Sequence, residues 1–277
     1  MGWGRQIETT EMTPNPTSET ESTRPPAPKL EICIDCPASA RAAGEGGADR
    51  VELCANLPDG GTTPSLGTIR AVRRVFGGGL MVIIRPRGGD FLFDPDEIAE
   101  MLDDIRAARD AGADGVVIGC LTAEGAVDTE LCARLVEAAG PLDITFHRAF
   151  DMSRDLDEAL DAIASLGIAR ILTSGGAPDV PGGIGRLAAL VKRASGRVSI
   201  MPGGGVVPEN VGEIVRATGV REIHLSARSE CESAMQFRNE ACSMGAFTAG
   251  REYKLKTADP EKVRAARQAL DAAAGRV

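Results

Sequence analysis

Aromatic residues are scarce in this chain: they make up 3% of its 277 residues, with one Trp and one Tyr. The core must therefore be built from aliphatic side chains, and the 33 glycines indicate many tight turns. Basic residues are also few: 31 Lys and Arg stand against 40 Asp and Glu. The formal net charge of −9 argues against nucleic acid or an anionic membrane as a partner, because both require a basic surface. Any site that binds an anion must therefore be a small region whose own charge differs from that of the acidic chain as a whole.

Long hydrophobic runs are also missing. No segment approaches the ~20 apolar residues that span a bilayer, and the N-terminus lacks the apolar core of a signal peptide. The seven cysteines do not follow the regular spacing of a disulfide framework, which is typical of a reducing compartment. We therefore expect a cytoplasmic protein.

The chain divides into a tail and one domain. Residues 1–28 are rich in Thr, Glu, Pro and Ser with little to bury, which predicts a disordered tail. From residue 29 to residue 277, short β-branched strands alternate with Ala-rich helices. Strands are predicted at 30–35, 50–54, 81–86, 115–119, 143–148, 170–175, 198–203 and 222–227. Helices are predicted at 38–46, 65–76, 95–111, 129–139, 156–166, 184–194, 208–217 and 260–273.

Eight strand–helix units over roughly 250 residues have the size and rhythm of an α/β fold of the (β/α)8 TIM-barrel type. A doubly wound open sheet is the alternative, but the first strand–helix turn lacks the Gly-x-Gly-x-x-Gly that would hold a dinucleotide. Residues 228–259 form the one long connection without strong periodicity. Such loops on barrels tend to be lids or assembly contacts.

Alternation along the strands predicts which side chains enter the barrel. In RVELC, Val51 and Leu53 are apolar and belong beneath the helices, so Arg50, Glu52 and Cys54 point inward. The same rule applied to the other strands predicts an ionic interior of Glu31, Glu52, Arg85, His147 and His224, with Cys33 and Cys54 nearer the mouth. Buried charges need partners, so the two glutamates should contact Arg85 or a histidine. Such a network could also serve only to fix the register of the strands.

The cysteines of the first two strands, Cys33 and Cys54, should lie on neighbouring strands about 4.8 Å apart and point the same way. Two soft thiolates suit Cu(I) better than Zn(II), which takes four ligands. The alternative is that both are small core residues. Cys36 lies near enough to join them.

Glycine-rich turns follow the later strands. Backbone N–H groups converge in such turns, and the loops after strands seven and eight of barrels commonly bind phosphate. The alternative is that glycine only permits tight turns. The possible anion site comprises Thr173, Ser174, Gly175, Gly203, Gly204 and Gly205.

Several motifs resemble the CutC family of copper homeostasis proteins: LEIC, GADRVELCANLPDGGTTPSLG, IIRPRGGDF, ITFHRAFD and RILTSGG. Their order and spacing hold from Leu30 to about Tyr253. The resemblance implies a TIM barrel, a cytoplasmic location, Cu(I) binding and a homodimer or higher assembly. It also implies that Cys33 and Cys54 are the copper ligands.

Two functions follow from these features, beside a chemically inert scaffold. The first is copper homeostasis through Cu(I) bound by Cys33 and Cys54. The second is an enzyme that acts on an anionic, phosphorylated small molecule at the barrel mouth. Its catalytic candidates are Glu52, Arg85, Arg87, His147 and Asp151.

Overall fold

The computed structural model describes residues 1–2, 27–239, 241–242 and 250–275. Most of the predicted tail, residues 3–26, lies outside the described residues. No helix within the described ranges is long and apolar enough to cross a membrane.

Eight parallel strands form a nearly closed barrel, which confirms the predicted (β/α)8 fold. The strands are β1 (Lys29–Ile34), β2 (Arg50–Leu53), β3 (Gly79–Ile83), β4 (Gly115–Ile118), β5 (Asp143–Phe146), β6 (Arg170–Thr173), β7 (Ser199–Pro202) and β8 (Glu222–Leu225). They pair in the order β7-β6-β5-β4-β3-β2-β1-β8, and β7 lies against β8.

Within the described part of the chain, eight helices surround the strands. They are α1 (Pro37–Glu45), α2 (Leu66–Val75), α3 (Pro95–Asp110), α4 (Thr129–Ala139), α5 (Leu156–Ser165), α6 (Val180–Ala194), α7 (Pro208–Thr218) and α8 (Pro260–Ala273). Side-chain caps explain several starts: Asp94 and Glu97 form a reciprocal capping box in front of α3. Helix α6 begins four residues before its predicted start because Asp179 accepts a hydrogen bond from the N–H of Gly182.

The alternation of each strand separates two packed layers. Val51, Leu53 and Val82 lie in the large apolar layer between barrel and helices. Cys33, Cys54 and Ile83 belong to a small cluster inside the barrel, together with Met81 and Val117. The faces therefore have the orientation that the sequence predicts, and the reactive side chains lie within the barrel.

The long connection after β8 contains two more strands, β9 (Arg228–Glu232) and β10 (Lys254–Ala258), which pair antiparallel. Arg228 of β9 binds Asp35, at the end of β1, with Nη2–Oδ2 at 2.6 Å. The base of this hairpin is thus tied to the barrel mouth. Residues 240 and 243–249 within the connection lie outside the described part of the chain.

Candidate metal centre and adjoining cavity

An ion network fills the barrel below the cysteines. Arg50 donates to the carboxylates of Glu31 and Glu222, and Arg170 donates to Glu222 with Nε–Oε2 at 3.0 Å. Arg170 also reaches Asp143 at 3.3 Å. Each buried charge in this layer has an opposite charge beside it, as burial requires.

Histidine His224 connects this network to the cysteines. Its Nδ1 lies 2.8 Å from Oε1 of Glu31, and its Nε2 lies 3.6 Å from Oε2 of Glu52. The expectation that the glutamates contact a histidine is therefore met. Arg85 contacts neither glutamate: its Nη atoms donate to the backbone carbonyls of Asp59, Gly61 and Gly89, at 2.9, 3.0 and 2.7 Å.

The two cysteines lie together above His224. Parallel pairing sets Cys33 opposite Glu52, one layer above the pair of Glu31 with Arg50. The Sγ atoms of Cys33 and Cys54 are 3.9 Å apart, and the ligand atoms of Cys33, Glu52 and Cys54 all lie within 4.8 Å of one another. Across the ranges that the structure describes, this is the one group of three or more such residues close enough to share a metal ion.

Charge is distributed unevenly over this group. The hydrogen bond with Cys54, helped by His224, outweighs burial and lowers the pKa of Cys33 to about 5. The same bond and burial raise the pKa of Cys54 well above its usual range. Burial and the adjacent Cys33 raise the pKa of Glu52. Cys33 is therefore a thiolate at neutral pH, while Cys54 keeps its proton.

The two charged neighbours of the cysteines have shifted pKa values as well. Burial opposes the charge of His224, but its bonds with Cys33 and Glu31 raise its pKa well above the usual range. Burial likewise opposes the charge of Glu31, yet Arg50 and His224 lower its pKa to about 2. At neutral pH, the Cys33 thiolate thus faces an imidazolium that Glu31 orients.

The donor set fits a soft ion of low coordination number. Both thiols are free, and the midpoint between them lies about 2 Å from each sulfur, close to the ~2.3 Å of a metal–thiolate bond. Two thiolates suit Cu(I) better than Zn(II), which takes four ligands. Cys36 instead bonds Ser39, with Sγ–Oγ at 3.3 Å.

A cavity of about 890 Å³ opens above the cysteines at the carboxyl ends of the strands. Cys33, Glu52 and His224 form part of its floor, while Arg85 and His147 line one side. His147 Nδ1 accepts the N–H of Ala149 at 3.2 Å. Burial and the charge of Arg85 lower the pKa of His147 to about 3, so its ring is neutral.

The predicted anion site divides into two different turns. Asp151 accepts hydrogen bonds from the hydroxyl groups of Thr173 and Ser174 and from the N–H groups of Ser174 and Gly176. A side chain of the protein thus takes the place of an anion in the turn that contains Gly175. Gly203, Gly204 and Gly205, in contrast, line the cavity.

Two candidates from the enzyme hypothesis are engaged in other contacts. Arg87 is absent from the cavity lining and pairs with Glu97 and Asp90, the latter with Nη1–Oδ1 at 3.0 Å. Asp151 lines the cavity, but Arg148 and the turn after β6 already bind its carboxylate. Arg85 and His147 remain as cavity residues, and Glu52 lies beside the cysteines.

The alternation of RVELC predicts that Arg50 points inward, as it does, but Arg170 and Glu222 were not among the predicted interior residues. A signal existed for Glu222, which has the same strand parity as the predicted interior residue His224. Arg170 and Glu222 both lie at strand starts, far from the barrel mouth.

Comparisons with known proteins identify relatives over most of the chain. A sequence model of the CutC family matches residues 28–229. The "copper homeostasis protein cutC homolog" of Homo sapiens is 46% identical over 235 residues, covering 85% of this chain and 86% of that protein. A CutC family protein of Bacteroides fragilis is 48% identical over 236 residues, covering 85% and 94%.

Solved structures agree with these matches. A protein described as the copper homeostasis protein CutC of Streptococcus agalactiae superposes with a TM-score of 0.69 at 36% identity, over 72% of this chain and 98% of that one. Thiamine phosphate pyrophosphorylase of Pyrococcus furiosus, with a TM-score of 0.56 and 17% identity, covers 88% of this chain and 96% of its own. At that identity, it shares the fold alone.

Proposed function

We propose, from the premise that the chain belongs to the CutC family, that it serves copper homeostasis by binding Cu(I). The ligands would be the Cys33 and Cys54 sulfurs, with Glu52 beside them. The observation that carries the proposal is the 3.9 Å distance between two buried, free sulfur atoms. Copper is the cargo in this function.

The chemistry of the group supports a thiophilic ion. Cys33 is already a thiolate at neutral pH, while Cys54 keeps its proton because a second negative sulfur beside the first is unfavourable. A bound cation would remove that penalty, so binding should release the proton of Cys54. His224 and Glu31 hold Cys33 in place from below.

Competition with a chelator tests the proposal. Metal-free, reduced protein is titrated with Cu(I) against bathocuproine disulfonate. We expect Cys33→Ser and Cys54→Ser each to lower the Cu(I) affinity at least about 100-fold, since each removes one of two thiolate ligands. Cys36→Ser is the matched control, because Cys36 is also a free cysteine near β1 but bonds Ser39. Unchanged affinity in the Cys33→Ser/Cys54→Ser double variant would refute the assignment.

We also propose that the protein functions in the cytoplasm. The cysteines of the barrel strands, Cys33 and Cys54, and the exposed Cys231 are free thiols, which fits a reducing compartment. Cell fractionation tests this location. Recovery of the protein outside the cytoplasmic fraction would contradict it.

A homodimer is the assembly that we propose. Its support is the hairpin connection, on which Met235, Phe237 and Leu255 are exposed apolar side chains. Sedimentation equilibrium should give twice the 28.9 kDa chain mass, and Phe237→Ser should shift the protein toward monomer. A wild-type protein that sediments as a monomer at micromolar concentration would disprove the dimer.

A further inference from the structure

Two residues that line the cavity each have a buried side-chain nitrogen without a hydrogen-bond partner among the described residues. These nitrogens are Nε of Arg85 and Nε2 of His147, and both residues are only 5% exposed. Buried N–H donors are almost always paired, because leaving one unpaired forfeits its hydration without replacement. Two such donors on one cavity wall indicate a ligand with oxygen acceptors.

The tautomer of His147 makes its Nε2 a donor. Since Nδ1 accepts the N–H of Ala149, the single proton of the neutral ring lies on Nε2. The ring is held on two sides: Phe91 lies 5.0 Å away between ring centroids, and a Cβ at Gly119 would come within 2.4 Å of it. This N–H therefore has a fixed direction.

Arg85 is fixed in the same way. Its two Nη atoms donate to loop carbonyls, and its guanidinium carbon lies 4.8 Å from the centroid of the Phe91 ring. Phe91 thus lies against both donors. Both donors are therefore pre-organised in the ligand-free protein, which reduces the conformational entropy lost on binding.

A second set of donors lies across the cavity. The N–H groups of Gly204, Gly205 and Val206 donate to no group among the described residues, and all three residues line the cavity just before helix α7. The N-terminus of a helix favours anions. Arg148 lies beside this turn, because a Cβ on Gly204 would come within 2.8 Å of its Nη1.

The acidic side chains of the cavity wall do not compete for these donors. Asp151 is bound by Arg148 and the turn after β6, and Asp90 pairs with Arg87. Asp59 accepts a hydrogen bond from the amide of Asn56 at 2.7 Å. Glu52 faces His224, whose Nε2 lies 3.6 Å from its Oε2.

From these contacts we propose that the cavity binds a small phosphorylated carboxylic acid. Its carboxylate accepts from Arg85 and His147, and its phosphate accepts from the turn of Gly204–Val206 and from Arg148. The volume of about 890 Å³ is that of a site for an organic molecule rather than for a single ion. This site is independent of the copper proposal, since none of its donors is a metal ligand.

Calorimetry on the full-length, metal-free, reduced protein tests this site with three probes. Phosphoglycolate carries both groups, malonate carries only carboxylates, and inorganic phosphate supplies only the phosphate. We expect phosphoglycolate to bind at least about tenfold more tightly than either single-group probe. No binding at millimolar concentration would overturn the proposal. So would affinity equal to that of phosphate, which would indicate an adventitious ion only.

Variants assign the carboxylate end of the ligand. His147→Leu should weaken phosphoglycolate at least tenfold, which corresponds to about 1.4 kcal/mol. His147→Gln should restore part of the affinity, because an amide can accept from Ala149 and donate to the ligand. Arg106→Gln is the matched control and should bind as the wild type does, since Arg106 bonds Asp103 on the surface and does not line the cavity. Equal affinity in His147→Leu and the wild type would exclude the proposed contact.

Two further measurements keep the proposals separate. The chain has two histidines, so 15N-histidine spectra of the wild type report His147 directly even if His147→Leu fails to fold. Phosphoglycolate should shift the Nε2 resonance of His147, and an unchanged resonance would refute the contact. The Cys33→Ser/Cys54→Ser double variant should keep its phosphoglycolate affinity within about threefold while losing Cu(I). If the double variant lost its affinity for phosphoglycolate as well as for Cu(I), the two sites would not be independent.

Discussion

Replacing Arg50 by Met should destabilise the barrel more than any surface substitution. Arg50 is the shared partner of Glu31 and Glu222, and its side chain is 10% exposed against 1% for that of Glu31. Removing one member of a buried ion pair leaves an uncompensated charge, which costs about 3–5 kcal/mol. That is a large part of the ~5–15 kcal/mol that stabilises a typical domain.

The pH dependence of this cost follows from Glu31. Its pKa of about 2 in the folded chain lies below its ordinary value of 4.5, so its charge contributes about 3 kcal/mol of stability. That contribution is fully present above pH 4.5 and is lost as the pH falls toward 2. Because Arg50 supplies much of it, the gap in unfolding free energy between wild type and Arg50→Met should narrow between pH 7 and pH 3.

Urea unfolding followed by circular dichroism measures this gap at both pH values. Arg106→Met is the matched control, because its bond to Asp103 lies on the surface, with the two side chains 55% and 79% exposed. Such a pair contributes less than about 1 kcal/mol. A cost below about 1 kcal/mol for Arg50→Met at pH 7, or a gap that does not change with pH, would show that our account of the network is wrong.

The remaining predictions concern a buried histidine and two glycines of one helix. Since the unfolded chain takes up a proton at His147 below pH 6.5 and the folded chain does so only near pH 3, the wild type should lose about 2 kcal/mol from this group between pH 7 and pH 5. His147→Leu should lack that loss in urea titrations, and identical pH profiles would contradict it. Gly185→Ala should stabilise α6 by about 0.5–1 kcal/mol, because a Cβ there meets nothing within 4 Å. Gly183→Ala should cost about 3 kcal/mol or more, because its Cβ would lie 1.8 Å from the Ser174 carbonyl oxygen, and thermal melting that ranks the two the other way would refute this packing.

The fold could be predicted because each strand repeats one simple rule. The alternation in RVELC is enough to predict that Val51 and Leu53 point outward and that Glu52 and Cys54 point inward. The structure has this arrangement. The start of α6 is harder to predict from the sequence, since Pro181, Gly182 and Gly183 have low helix propensity. The cap by Asp179 and the close contact of Gly183 with the preceding turn outweigh that propensity.

Partners across the barrel could not be predicted from local pattern. Arg85 points inward as expected, but its bonds go to loop carbonyls whose positions depend on how residues 59–61 and 89 fold back over β3. The glycine-rich turn after β6 has the composition of an anion site. Asp151, 22 residues before Thr173 in sequence, already binds it, and only the tertiary fold brings them together.

The pairing of β1 with β2 has a consequence for the spacing of the two sulfur atoms. Both strands contain Glu-x-Cys, so sliding one past the other by two residues would leave every side chain on its present face. That alignment would set Glu31 opposite Glu52 and Cys33 opposite Cys54, with like charges side by side. The observed alignment sets Glu31 opposite Arg50 instead. The pairing of Arg50 with Glu31 thus favours the alignment in which the two sulfurs are offset diagonally, one layer above it.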